Sequence, residues 1–150
     1  MEEYHDALEY YKKALAIRKR VLGDSHIDTV RSYEYVALAY YILGEYQRSL
    51  EYSEKALEIR MEIDGGDQES IALVYDLIGE TYERLKEYRK ALEYYKKALE
   101  IRRSVLGEEH DDTVYVYSCI GFAYEGLGEY HQLLNPCFSH IHPIYQFLFL

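Results

Sequence analysis

The nine-residue stretch ALEYYKKAL occupies positions 7–15 and returns, letter for letter, at positions 91–99, 84 residues later. A chain that spells one segment twice at that distance is built from copies, and half of 84 tests well as the copy length. Gly23, Gly65 and Gly107 stand 42 apart, as do Leu8, Leu50, Leu92 and Leu134. Tyr4, Tyr46, Tyr88 and Tyr130 form another column, and so do Tyr33, Tyr75 and Tyr117, then Tyr40, Tyr82 and Tyr124. Ala14, Ala56 and Ala98 align too, until His140 breaks the series. A fixed period of this size marks a stacked array in which each unit buries its apolar face only against its neighbours.

Each unit reads as two helices. In residues 27–44, Tyr33, Val36, Ala37, Tyr40 and Leu43 recur at the three-and-four spacing of one helical face. Ser25 stands at the N-cap, with Asp28 three residues on as in a capping box. Gly44 ends the helix in the left-handed conformation, whereas Lys86 holds the equivalent place one unit later, so that turn must form without glycine. The second helix presents Tyr46, Ser49, Leu50, Ser53, Ala56, Leu57 and Ile63, and Gly65 stops it. Its small residues at 49, 53 and 56 let a neighbouring helix approach closely.

These columns resemble the tetratricopeptide repeat, whose signature runs from an aromatic through Gly and Tyr on the first helix to paired alanines on the second. Here Tyr75, Ile78, Gly79, Tyr82, Tyr88, Ala91, Tyr95 and Ala98 follow that order. The 42-residue unit is longer than the usual repeat of about 34. With "ALAIRKRVLGDSHIDTV" and "ALEIRRSVLGEEHDDTV", the chain is similar to the kinesin light chain subfamily. It departs from that subfamily where Ile27 and Asp111 replace a proline, and where Glu34-Tyr35, Asp76-Leu77 and Ser118-Cys119 replace paired asparagines. The resemblance implies an all-α fold, a right-handed superhelical solenoid of antiparallel helix pairs, working as a protein-interaction scaffold.

The expected organisation is an array over residues 1–134: a partial unit at 1–23, full units at 24–65 and 66–107, and an incomplete unit at 108–134. Residues 135–150 break the pattern. Pro136 falls at the Tyr94 position and Pro143 at the Ile101 position, and a proline inside a helix costs about 3 kcal/mol. A divergent, poorly ordered tail is expected there.

The net charge of −10 disfavours nucleic acid and anionic membrane surfaces, both of which call for a cationic face. With an acidic start and no long apolar run, neither a signal peptide nor a membrane span is expected. Two cysteines are too few for a disulfide framework, which suits a cytoplasmic protein. Cys137, His140 and His142, with His131 nearby, match no standard zinc spacing, so no metal or other cofactor is expected. His26 with Asp28, and His110 with Asp112, sit at helix starts, where capping outweighs an acid–base role. No nucleophile elbow or phosphate loop is present, and no catalysis is expected.

Function should then sit on the concave side, lined by first helices, where residues vary between units. One face carries Arg31, Glu34, Tyr35, Leu38 and Tyr41. The next carries Leu73, Asp76, Leu77, Glu80, Glu83 and Arg84, and the last Tyr115, Ser118, Cys119, Phe122 and Glu125. Their acidic and apolar mix predicts a groove for a protein or peptide segment, basic with an apolar anchor. Tetratricopeptide grooves that clamp a carboxylate terminus use cationic or amide residues where this chain has Glu34, Asp76 and Ser118, so the resemblance argues against that ligand. The rival reading is a structural spacer or sensing arm of a larger protein, with no ligand of its own.

Overall fold

A computed structural model describes residues 2–63 and 67–128. It contains α1 (Glu2–Leu22), α2 (Ile27–Ile42), α3 (Tyr46–Glu62), α4 (Gln68–Arg84), α5 (Tyr88–Val105) and α6 (Asp111–Leu127), with no strand among the described residues. Each helix packs on the one before and the one after, and the first helices α2, α4 and α6 also touch along one side. That pattern is an all-α solenoid. The tail beginning at residue 135, the Cys137–His140–His142 group and Gly65 lie outside the described residues.

The tyrosine columns hold equivalent places. Tyr33 and Tyr40 meet Tyr52 at ring distances of 6.1 and 5.4 Å; Tyr75 and Tyr82 meet Tyr94 at 6.0 and 5.7 Å. Between them, Val36, Ala37, Ala56, Ile78, Ala91, Ala98 and Val116 are fully buried. Each large aliphatic side chain there contributes about 1.5–3 kcal/mol of transfer free energy.

The turn inside each hairpin repeats as well. Gly44 (φ 77°) and Lys86 (φ 61°) occupy the same left-handed position. The amide of Glu45 donates to the Tyr40 carbonyl at 2.9 Å, and that of Glu87 to Tyr82 at 2.9 Å, which is the Schellman closure in both. Lys86 therefore bears a steric strain that glycine avoids. Between hairpins, Thr29 Oγ1 donates to the Gly23 carbonyl and Thr113 Oγ1 to that of Gly107, each at 2.8 Å.

The N-cap differs from expectation. Helix α2 starts at Ile27, so His26 rather than Ser25 is the capping residue, and its Nδ1 accepts from the Asp28 amide at 3.2 Å. His110 does the same for Asp112 at 3.3 Å. In the middle unit Asp67 takes over and accepts from the Glu69 amide at 3.2 Å. These histidines cap helices, as their position at helix starts foretold.

One close approach distinguishes the α4–α5 hairpin. A Cβ on Gly79 would lie 2.7 Å from the Cδ1 and Cε1 atoms of Tyr95, a ring with no solvent exposure. The equivalent positions in the preceding hairpin are Ala37 and Ser53, both buried. A large ring over glycine in one layer thus replaces a hydroxymethyl group and an alanine in the other.

Candidate functional site

Helices α2, α4 and α6 present their free faces on one side. A groove of about 440 Å³ runs across them, lined by Glu34, Tyr35, Leu38, Leu73, Asp76, Leu77, Glu80 and Tyr115 of the expected face. A second pocket of about 190 Å³ adjoins it, lined by Tyr41, Glu83, Ser118 and Phe122, and sharing Glu80 and Tyr115. Arg31 and Glu125 line neither; Arg31 lies 3.4 Å from the Asp28 carboxylate instead.

Part of this variable face also carries structural duty. Glu34 takes a two-pronged contact from Arg60, whose Nη2 donates at 2.9 Å while Nε donates to the other oxygen. Asp76 receives Arg102 Nη1 at 2.6 Å. Both arginines are almost wholly buried, so each needs an acid beside it, and Arg102 also has the Glu69 carboxylate at 3.5 Å. Cys119 is also buried, and burial pushes its thiol up to about 11. Ser118 Oγ bonds back to the Val114 carbonyl at 3.3 Å, one turn earlier.

The arginines come from second helices, which sequence reasoning had assigned only to stacking. Their signal was nonetheless periodic: Arg18, Arg60 and Arg102 form a column 42 apart. Arg18 spends its guanidinium on α2, donating to Ser32 Oγ at 2.6 Å. Arg60 and Arg102 instead form the groove floor, beside the buried Ser53 and the Val74 side chain.

Electrostatically the floor is crowded. Burial raises the Asp76 carboxyl to about 7, with Arg102 opposing that rise and Glu80 and Glu69 adding to it. Tyr115 donates to Glu80 at 2.7 Å and Tyr95 to Glu83 at 2.9 Å, and burial drives both phenols well above the ordinary range. The groove's acids Glu34, Asp76, Glu80 and Asp112 outnumber Arg60 and Arg102. Apolar side chains remain open between them: Tyr35, Leu38, Leu73 and Tyr115 are 48, 44, 56 and 50% exposed. Among the described residues no group of three His, Cys, Asp or Glu could hold a metal ion. No described helix is long and apolar enough to cross a membrane.

The tetratricopeptide-repeat profile matches residues 1–62, 33–104 and 70–132 in three overlapping registers. The chain belongs to the tetratricopeptide-repeat family. Such repeats are protein–protein interaction scaffolds. No curated protein matches this tetratricopeptide chain in sequence. Among solved structures it is similar to BtubC (BKLC) from P. vanneervenii, with a TM-score of 0.77 at 21% identity over 95% of this chain and 60% of that one. It is also similar to a Podosopora anserina putative kinesin light chain with nearly identical repeats, with a TM-score of 0.78 at 20% identity over 87% and 62%. The MamA protein follows with a TM-score of 0.62 at 24% identity over 86% and 57%. The kinesin light chain-like character of this tetratricopeptide array is thus shared at the level of fold. The chain spans about 60% of the length of these structures.

Proposed function

We propose that the groove across α2, α4 and α6 binds a peptide segment of a partner protein, one presenting Lys or Arg beside an apolar anchor, and that the chain itself catalyses nothing. The observation that carries this reading is the pairing of exposed Leu38, Leu73, Tyr35 and Tyr115 with a net acidic surround. Buried anchors supply most of the affinity at such sites, and charge supplies rate and selectivity. The arginines at the floor are already engaged by Glu34, Asp76 and Glu69, leaving Glu80 to meet an incoming cation. A cytoplasmic setting belongs to the same proposal, since Cys119 is a free buried thiol.

A peptide array probed with the full chain tests it, using matched sets in which Lys and Arg are exchanged for Glu. Bound peptides should be enriched in a basic residue within a few positions of Leu, Ile or Phe. Leu73→Asp should weaken them about tenfold or more, a loss of about 1.4 kcal/mol, and Glu80→Lys should weaken the basic set selectively. Binding indifferent to both substitutions would remove the groove from the interaction. The rival spacer role is favoured by the engagement of Glu34 and Asp76 in internal pairs. Absence of any bound peptide would move the reading to that role.

A further inference from the structure

Two layers of the array treat the same buried arginine differently. Arg60 meets one carboxylate, Glu34, through two of its nitrogens, so that layer is balanced in charge. Arg102, 42 residues on, meets two: Asp76 at 2.6 Å and Glu69 at 3.5 Å. The extra acid is particular to this layer, because Ile27 holds the position equivalent to Glu69 one unit earlier. One buried guanidinium therefore faces two carboxyl groups, and the trio is one positive charge short.

That shortage is buried and borders the groove. Asp76 is 7% exposed and lines the groove, and its Oδ1 has no hydrogen-bond partner among the described residues. A carboxyl group that is desolvated, beside a second acid and left with an idle oxygen holds a proton more tightly than an exposed one. Burial lifts it to about 7, with Arg102 opposing and Glu80 and Glu69 adding to the rise. From α6, Asp112, Tyr115 and Cys119 stand on the same side, while Glu34 of α2 and Arg60 of α3 border the groove as a pair already matched. Glu80 lies one turn along α4 from Asp76, accepts the Tyr115 hydroxyl at 2.7 Å and lines both pockets. A cation held by Glu80 is thus a neighbour of Asp76 on the helix surface. It supplies the charge the trio lacks, so it competes with the proton, and each weakens the other's binding by the same factor.

We propose that the groove exchanges a proton for its partner's cation: the trio of Asp76, Glu69 and Arg102 gives up a proton when a Lys or Arg side chain of the bound segment reaches Glu80, so basic partners are held above neutral pH and let go below it. The inference rests on the reading of the groove as a site for basic peptides and adds the switch that regulates it. The bound cation lowers the proton affinity of Asp76. Binding is therefore strongest where the free chain has already lost the proton, and weakens as pH falls.

Titration calorimetry of the full chain, with an array peptide carrying one Lys beside Leu, reads affinity and proton release together. If the cation lowers the proton affinity of Asp76 tenfold, binding should tighten about fivefold from about pH 6 to about pH 8. Near pH 7 about 0.4 proton should leave per peptide bound, seen as an enthalpy that differs between phosphate and Tris buffers. The same peptide with glutamine in place of Lys should bind more weakly, equally at each pH and without releasing a proton. Asp76→Asn should keep the low-pH affinity for the Lys peptide throughout. Glu69→Gln serves if Asp76→Asn loses its helical circular dichroism: it leaves Arg102 with one acid, as in the Arg60 layer, and should move the rise to lower pH. Three results would overturn the switch while leaving the groove as a peptide site. These are equal affinity at the two ends of the pH range, the same pH dependence for the glutamine peptide, or a rise that Asp76→Asn preserves, which would give the proton to another group such as His110. No binding of either peptide at any pH would overturn the groove reading and the switch with it.

Discussion

Gly79→Ala should destabilise the fold although it replaces glycine with the best helix former. Inside a helix that exchange stabilises by about 1 kcal/mol. Here the new methyl group meets Tyr95 Cδ1 and Cε1 at 2.7 Å, nearly an ångström inside ordinary carbon–carbon contact of about 3.5 Å. The ring is fully buried and its hydroxyl is held by Glu83, so it cannot swing away freely. Overpacking of this kind costs about 1–3 kcal/mol, leaving a net loss of about 1 kcal/mol. Tyr95→Ser alone should cost about 3–5 kcal/mol, the range for truncating a buried aromatic side chain. In that background the obstruction is gone, and Gly79→Ala should now stabilise by about 1 kcal/mol. The double variant reproduces the Ala37 and Ser53 pairing of the preceding hairpin. Urea unfolding of the four proteins measures the cycle, and a coupling of about 2 kcal/mol is expected at constant m-value. If Gly79→Ala has the same effect in both backgrounds to within about 0.5 kcal/mol, the two residues do not compete for space and the layer-by-layer account is wrong.

Two further outcomes follow from single positions. Lys86→Gly relieves a left-handed lysine at φ 61° and should raise stability by about 0.5–1 kcal/mol after the extra freedom of the unfolded chain is counted; an unchanged urea midpoint would show that the turn carries no strain. Burial raises the folded-state Asp76 carboxyl from 3.8 to about 7, so between those values the folded chain holds a proton that the unfolded chain has released. Stability contributed by this group is therefore present at low pH and falls as pH rises toward 7. Asp76→Asn should flatten that part of the thermal-melting profile, and parallel profiles for the two proteins would mean the pair with Arg102 keeps the carboxyl ionised throughout.

The fold was legible because stacking repeats its demands. Each hairpin needs the same aromatic cluster and the same tight turn, so Tyr33, Tyr40 and Leu43 return as Tyr75, Tyr82 and Leu85. The left-handed turn at Lys86 could be inferred from alignment with Gly44 even though lysine does not favour it. The cap was misplaced by one residue, since Ser25 and His26 both carry an acceptor and only the path of the chain decides which one reaches an amide. The groove was half legible. Tyr35, Leu38 and Leu73 could be placed on it by helical spacing alone. That Glu34 and Asp76 are tied down depends on Arg60 and Arg102 crossing from another helix, which no single-helix pattern reveals. The arginine column was visible as a period, but a periodic charged residue reads as a solvated stripe until its burial is known.

The contrast between the Tyr95–Gly79 layer and the Ser53–Ala37 layer bears on how such a gene can be reshuffled. Splicing the front half of one hairpin to the back half of the other would drive a phenol into a methyl group or open a void of phenol size. Crossovers between copies should therefore survive where they fall in the joints between hairpins, and be purged where they fall within the bend at Gly44 or Lys86.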